Sequence, residues 1–571
     1  MTSEVCPHPV DLSSKSLFWG TYATKKACPE APKLLVVKDH WTARERLTET
    51  SFQDIVSAEI FPMLNEAGLE NAFIIYTALV CDQPYGGDFR RFLYSTKEAR
   101  EVGRLAYRDL YVRPELVAHR ERLLRLTRYF EPDCIVILGN YALWALTDKV
   151  AIIKSEGGYR VAKGLAKWRG SALRTVTGHH AVCTYGPAHV QKDWAARYIA
   201  VHDLRARTTP PTRPTTHSFM IRPSHPRVVA TLHKLIQSPE PLLAVDLETR
   251  GPFIACAGLA WSPTEALCIP FLTKTSESYW TVPEELEIRD LLKQLLTSKE
   301  IIGQNFLYDT QFIQHEWWFT PNCVYDTMLM QHLCFPGLPK GLDFLASLYC
   351  EHYVYGKDEG KLWEEGMPEE QLWRYNCMDA CATYEVQGAL NKLINKEGLQ
   401  DQWAERMHEF YLSLSMMNRG VRVNTKLRNS MYEELEAARS DREELLASII
   451  PMEEGRTPWW RSPAQLADLF YERLGIRPVL NKKTGRPTTD NEALETIAER
   501  EPLVRPIVEL IQDLRSIGVF YSNFITALLD PDGRIRCSYN PSGTETFRWN
   551  SAKNAFGRGT NLQNVPKGSE D

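Results

Sequence analysis

The spacing of apolar residues changes twice along the chain, and each change predicts a boundary. Short unbroken apolar runs come first: Lys33-Leu34-Leu35-Val36-Val37, Ala72 to Tyr76 and Cys134 to Leu138 each have the length and composition of a buried strand. Helix-like segments separate them, and that alternation predicts an α/β domain over residues 1–207. Thr208 to Pro226 carries five prolines and little helical periodicity, so residues 208–226 read as an extended linker. A second α/β pattern then covers 227–395. It opens with an amphipathic helix from Arg227 to Gln237, continues with a strand from Leu242 to Leu247, and includes a helix from Pro283 to Leu296 that begins with Pro and Glu in its first turn. From residue 396 the pattern turns to long helices rich in Glu, Arg and Leu, namely Gln402 to Met417, Lys426 to Ile449 and Leu503 to Leu528, which predicts a mainly helical region over 396–530. After Asp530 the helical period gives way to a basic segment rich in Gly, Asn, Ser and Thr, over 531–571.

Composition narrows this picture only slightly. A chain of 571 residues is too long for one hydrophobic core. Apolar residues at 44% and charged residues at 24% are ordinary for a soluble globular protein. The net charge of −5 excludes no class, because a local basic groove can sit on an acidic chain. Thirteen cysteines without a C-x-x-C pair read as reduced thiols in a cytosol-like compartment. Met1 to Leu12 lacks the basic flank and apolar run of a signal peptide. The longest apolar stretch, Ala72 to Cys81, is about half of what a membrane helix needs. The expectation is a soluble protein of the cytoplasm that associates with no membrane.

The candidate chemistry lies in the second α/β region. Leu243-Ala244-Val245-Asp246-Leu247-Glu248 is an apolar strand ending in two carboxylates two residues apart, and a strand of period two turns both to one face. Two acids there repel unless a cation sits between them. The pair alone reads equally well as a solvated strand end, because D-x-E is short and recurs by chance. Ile301 to Asp309 adds a third acid after a short apolar strand. Tyr375-Asn376-Cys377-Met378-Asp379 places a tyrosine and a fourth acid at i and i+4 of a helix, looking the same way.

In this order and spacing, the motifs resemble the proofreading 3′→5′ exonuclease domain of family A DNA polymerases, a ribonuclease H-like α/β fold. Asp326-Thr327-Met328 and Lys340-Gly341-Leu342 fall where that family has a second strand and a loop-to-helix turn. The resemblance implies two divalent cations, Mg²⁺ or Mn²⁺, held by Asp246, Glu248, Asp309 and Asp379. Asp246 would bridge the ions and Asp309 would act mainly through water. Oxygen ligands suit such hard cations. Tyr375 would orient the attacking water as a protonated phenol, and Asn305 and Phe306 would contact the substrate strand.

The C-terminal third carries a second resemblance. Gly420-Val421-Arg422-Val423, Arg461-Ser462-Pro463-Ala464-Gln465-Leu466, the stretch Lys482 to Asp490, and Glu492-Ala493-Leu494 are similar to the thumb of the same polymerases. Thr544-Glu545-Thr546-Phe547-Arg548-Trp549-Asn550-Ser551 and Asn561-Leu562-Gln563-Asn564-Val565-Pro566 are similar to the T-x-T-x-R-x-x-S and NLQN-[IV]-P elements at the start of the palm. Thr544, Thr546, Arg548, Ser551, Asn561, Gln563 and Asn564 are thereby implied to bind the primer–template duplex. From Arg534 to Gly568, six Lys or Arg stand against one acid, Glu545, which fits phosphate contact. The sequence ends at Asp571, before the palm aspartates and fingers that the resemblance would lead to. The expectation is a chain that adds no nucleotides alone: a truncated chain, a partial gene, or one half of a split polymerase with a second polypeptide.

Residues 33–207 resemble the uracil-DNA glycosylase superfamily more faintly. The likeness rests on Phe73 to Cys81, Glu131 to Gly139, Trp168-Arg169-Gly170, and Thr184-Tyr185-Gly186-Pro187-Ala188. Gly186 stands where that family has a functional histidine, and Lys38-Asp39-His40 replaces its water-activating loop. Cys81 falls on a cluster-cysteine position, His119 stands near another, and no full cysteine set follows, so no iron–sulfur cluster is expected. The reading is a DNA-binding or docking module with a glycosylase-like fold, in which His40, His179 and His180 are ordinary satisfied or solvated side chains. Two alternatives stay open for the whole chain: an RNA-trimming exonuclease with the same four acids, and a non-catalytic accessory half of a split polymerase. Phage-type replication is the expected context.

Overall fold

The computed structural model describes residues 21–23, 31–81, 92–94, 112–149, 151–155, 158–162, 164–209, 216–351, 353, 369–450, 458–482 and 484–565. The chain divides into two units, Met1–Ala404 and Glu405–Asp571.

The first unit holds two sheets. In the first sheet, β1 (Tyr22–Ala23), β2 (Lys33–His40), β3 (Phe73–Val80), β4 (Cys134–Ile137), β7 (Leu173–Arg174) and β8 (His180–Cys183) lie in the order β1-β3-β2-β4-β8-β7, and a separate hairpin joins β5 (Ala151–Ser155) to β6 (Gly158–Ala162). Strands β3, β2, β4 and β8 run parallel. Parallel strands are covered on both faces, which explains their unbroken apolar runs. Leu35, Val37, Phe73 and Ile75 enter one core, and the alternating Leu34, Val36, Ile74 and Tyr76 enter the other.

The second sheet has the order β14-β13-β10-β11-β12-β9, from β9 (Ser218–Met220), β10 (Leu242–Arg250), β11 (Phe253–Ala260), β12 (Glu265–Pro270), β13 (Glu300–Gly303) and β14 (Cys323–Asp326). β9 falls inside the stretch expected as a linker, yet it pairs in parallel with β12 as an edge strand. Of that stretch, 210–215 lie outside the described residues. The expected helix at 283–296 spans Val282–Ser298, started by a capping box between Thr281 and Glu284. One long helix, Glu369–Lys396, crosses the sheet and packs Trp373, Cys377, Ala380 and Cys381 against Ala244, Cys256, Cys268 and Ile302. Small side chains on both sides let helix and sheet approach closely.

Buried polar contacts join the two sheets' domains. Arg169, 2% exposed, donates from Nη1 to Asp203 Oδ1 at 2.6 Å and from Nη2 to Ser347 Oγ. Arg207 donates to the carbonyls of Ser347, Cys350 and Glu351 at the end of the helix Leu342–Tyr349.

The second unit is mainly helical. The helices Thr425–Ile449, Asn491–Arg500 and Arg505–Phe520 close around Leu446, Phe470, Leu494, Ile497, Val508 and Ile511. The helix expected over Leu503–Leu528 ends as an α-helix at Phe520 and widens into a π-turn over Tyr521–Ile525. One short strand precedes these helices and three follow them. β15 (Val421–Arg422) pairs with β16 (Arg534–Ile535), and β17 (Cys537–Asn540) pairs with β18 (Asn550–Lys553).

Candidate active site

Asp246 and Glu248 project from the same face of β10, opposite Gly258 and Cys256 of β11, and a register shift follows immediately after Glu248. The helix Glu369–Lys396 lays Tyr375, Asn376 and Asp379 over them. One carboxylate oxygen from each of Asp246, Glu248 and Asp379 lies within 4.8 Å of the other two. Burial, and then the charges of Asp379, Glu248 and Asp309, push Asp246 well above the ordinary carboxylate range. Burial and Asp379 push Glu248 up to about 8. Three half-buried acids this close resist simultaneous ionisation, and an all-oxygen donor set suits a hard divalent cation. Burial, and then the charge of Asp379, raise the Tyr375 phenol, which stays protonated.

Asp309, on the short helix Leu307–Phe312, is buried and accepts a hydrogen bond from the Leu247 amide at 3.1 Å. It stands outside the three-oxygen group. Asn305 is exposed at a positive φ of 55°. Asp326 holds that turn, accepting from the amides of Asn305 at 3.3 Å and Phe306 at 2.8 Å while capping the next helix through Met328 and Leu329. Phe306 was expected to contact the substrate strand, and the structure buries its ring. Its side chain is fully buried, packed where a Cβ on Gly303 would lie 2.3 Å from its ring, so the ring shapes the turn.

Two participants escaped the sequence reading. Asn376 is completely buried and donates from Nδ2 to Asp246 Oδ2 at 2.8 Å and to the Asp246 carbonyl at 3.0 Å. Its position three residues before Asp379 on one helix was the available signal. Asp326 was visible only as the end of a strand, although an Asp before Thr327 is also a helix-cap signal.

The expected DNA-contacting residues of the second unit divide into two groups. Thr544 Oγ1 accepts from the Arg548 amide at 2.9 Å and closes its own turn, while buried Ser551 donates to Asn561 Oδ1. Asn561 also accepts from the Gln563 amide at 3.0 Å, and Gln563 Nε2 donates to the Trp549 carbonyl at 3.0 Å. These side chains build the element. Thr546, Arg548 and Asn564 are exposed. The basic excess is also smaller in three dimensions than along the chain. Arg536 pairs with Asp530 at 2.8 Å and with Asp532 at 2.6 Å. Arg534 lies 3.8 Å from Asp532 and Arg558 lies 4.0 Å from Asp530. Both acids stand just before the stretch in which the charge was counted. Lys567 is outside the described residues.

In the N-terminal domain, a cleft of about 700 Å³ opens at the ends of β2, β4 and β8, lined by Asp39, His40, Asn140, Lys167, Gly186 and Lys192 among others. Cys81 is fully buried beside Trp41 and Ala78, and His119 meets Phe92 edge-on. His179 meets Thr177 Oγ1 at 2.9 Å and His180 meets the Arg207 carbonyl at 2.7 Å.

The six-stranded sheet thus carries three clustered acids, with Asp309 nearby and Tyr375 above, a donor set that suits a divalent cation. Comparison with known families agrees: residues 228–395 match "3'-5' exonuclease" and residues 428–571 match "DNA polymerase family A". The two matched segments follow one another along the chain, and each is similar to its family over its own residues. It is similar to DNA polymerase I of Bacillus subtilis, 27% identical over 256 residues covering 42% of this chain and 27% of the relative. With DNA polymerase I of Pseudomonas aeruginosa it shares 26% identity over 350 residues, 57% of this chain and 36% of the relative. With the DNA polymerase of Escherichia phage T5 it shares 23% over 234 residues, 40% and 26% respectively. These alignments thus span between 26% and 36% of the relatives' length.

Proposed function

We propose that this chain removes nucleotides one at a time from DNA 3′ ends as a two-metal-ion 3′→5′ exonuclease, and that its C-terminal unit holds the primer–template duplex. The observation that carries the reading is the set of three carboxylate oxygens within 4.8 Å, with Tyr375 one helical turn before Asp379 on the helix that covers them. Asp246, Glu248 and Asp379 would hold the cations, Mg²⁺ or Mn²⁺, with Asp309 in an outer position. The ions supply Lewis-acid stabilisation of the phosphate and a lowered pKa for attacking water. Tyr375 keeps its proton and donates a hydrogen bond, Asp309 is restrained by the Leu247 amide, and exposed Asn305 offers its amide to the substrate strand.

The accompanying domain reading is a glycosylase-like module over 1–207, a linker shortened at its end by β9, the exonuclease to 395, a thumb over 396–530 and the start of a palm over 531–571. Among the described residues, no helix is long and apolar enough to cross a membrane, and the proposed site of action is the cytoplasm. The N-terminal cleft supports a nucleic-acid docking role: it lies at strand ends where the connections diverge to either side of β2, the usual ligand position in such sheets.

The test is release of nucleotides from 5′-labelled single-stranded DNA in Mg²⁺, with RNA of the same sequence in parallel. The double variant Asp246→Ala, Glu248→Ala should abolish DNA digestion with the fold retained. Wild-type rates in that variant would refute the assignment. Preference for RNA would favour the RNA-trimming alternative, and an inert wild-type chain would favour the accessory one.

A further inference from the structure

We infer that Asn376 is a positioning residue that sets the orientation of the Asp246 carboxylate and thereby the affinity of the acid cluster for divalent metal. The inference rests on the proposed reading of the three acids as a metal site. Asn376 is completely buried beneath the sheet-crossing helix, and its two described hydrogen bonds both go to Asp246: Nδ2 to Oδ2 at 2.8 Å and to the main-chain carbonyl at 3.0 Å. An ionised carboxylate only accepts, so the amide nitrogen must face it. Gripping both the backbone and one side-chain oxygen of the same residue removes rotation about the carboxylate's side-chain bonds. The carboxylate is thereby held at one oxygen while its remaining lone pairs stay available to a cation.

The rest of the Asn376 environment favours this role over simple packing. Its Oδ1 is buried and has no hydrogen-bond partner among the described residues. A buried polar atom left unpaired costs free energy, so an amide kept here for packing alone would be poorly placed. Gly258, paired with Asp246 across β10 and β11, makes room for it. A Cβ on Gly258 would lie 2.6 Å from Asn376 Oδ1 and 2.9 Å from the Asn376 carbonyl oxygen. The strand opposite the central acid is therefore shaped around the amide that holds that acid.

Mn²⁺ binding to the full chain, followed by calorimetry, tests this alongside exonuclease rates over a range of Mg²⁺ concentrations. Absence of Mn²⁺ binding to wild type would overturn the metal-site reading itself. Given wild-type binding, Asn376→Ala should weaken Mn²⁺ affinity by roughly 10–100-fold, the usual effect of losing a group that orients a metal ligand. The Mg²⁺ concentration for half-maximal rate should rise in step, and the rate should return toward wild type at saturating metal. Gly258→Ala, whose three nearest new contacts all fall on Asn376, should move both readouts the same way. If Asn376→Ala fails to fold, Asn376→Ser removes the reach to Asp246 with a smaller loss of volume and gives the same reading. Unchanged Mn²⁺ affinity in a folded Asn376 variant would overturn the inference, as would a lower rate that saturating metal does not restore.

Discussion

Replacing Glu248 by Gln should make the metal-free protein more stable while destroying its activity. The oxygens of Asp246, Glu248 and Asp379 lie within 4.8 Å of one another. At that separation and an effective dielectric constant near 20, each ionised pair costs about 3.5 kcal/mol. Protonation at low pH relieves both the burial of the Glu248 charge and its repulsion by Asp379, which together push Glu248 up to about 8 from an ordinary value of 4.5. A carboxyl whose folded-state pKa is raised binds its proton more tightly in the fold, so the contribution of Glu248 to metal-free stability is fully present below about pH 4.5 and is lost as pH climbs through about 8. Urea unfolding in EDTA should therefore find Glu248→Gln close to wild type near pH 5 and more stable by about 1–3 kcal/mol near pH 9, with the full pair energy as the ceiling. Saturating Mg²⁺ should reverse the order, since metal at a hundredfold over its Kd adds about 2.7 kcal/mol to whichever protein binds it. A metal-free variant no more stable than wild type near pH 9 would show that these acids do not repel, and the reason for placing a cation among them would fall.

Two further tests reach other parts of the chain. Asp203→Ala would strand the buried Arg169 guanidinium and should cost about 3–5 kcal/mol in urea unfolding; a loss under about 1 kcal/mol would mean that Arg169 finds another partner or water. In the C-terminal unit, Arg548→Ala should weaken binding to a primer–template duplex and lower the slope of log K against log salt by about 0.9, the effect of one phosphate contact. Arg536→Ala should leave that slope nearly unchanged, because Arg536 already pairs with Asp530 and Asp532; fluorescence anisotropy across a salt series reads both, and equal slopes for wild type and Arg548→Ala would refute the contact.

Whatever depends on local period was legible in the sequence. A two-residue repeat turned Asp246 and Glu248 to one side, a four-residue interval aligned Tyr375 with Asp379, and unbroken apolar runs marked the parallel strands β2, β3 and β4. These follow from backbone geometry, which is the same wherever the segment finally packs. Tertiary structure decided what depends on partners. Phe306 sits in a motif that reads as substrate contact, but only the packing over Gly303 reveals its ring as buried. Ser218–Met220 has too few residues to declare itself a strand, and it becomes one because β12 offers an open edge. The charge of the C-terminal stretch looked larger than it is, since Asp530 and Asp532 lie just upstream and fold back onto three of its arginines. Asn376 is the sharpest case: the acid it holds is 130 residues away, and a hydrogen bond across that distance leaves no periodic trace. Periodicity is a property of one segment, whereas burial, pairing and charge neutralisation belong to two segments that meet only in the fold.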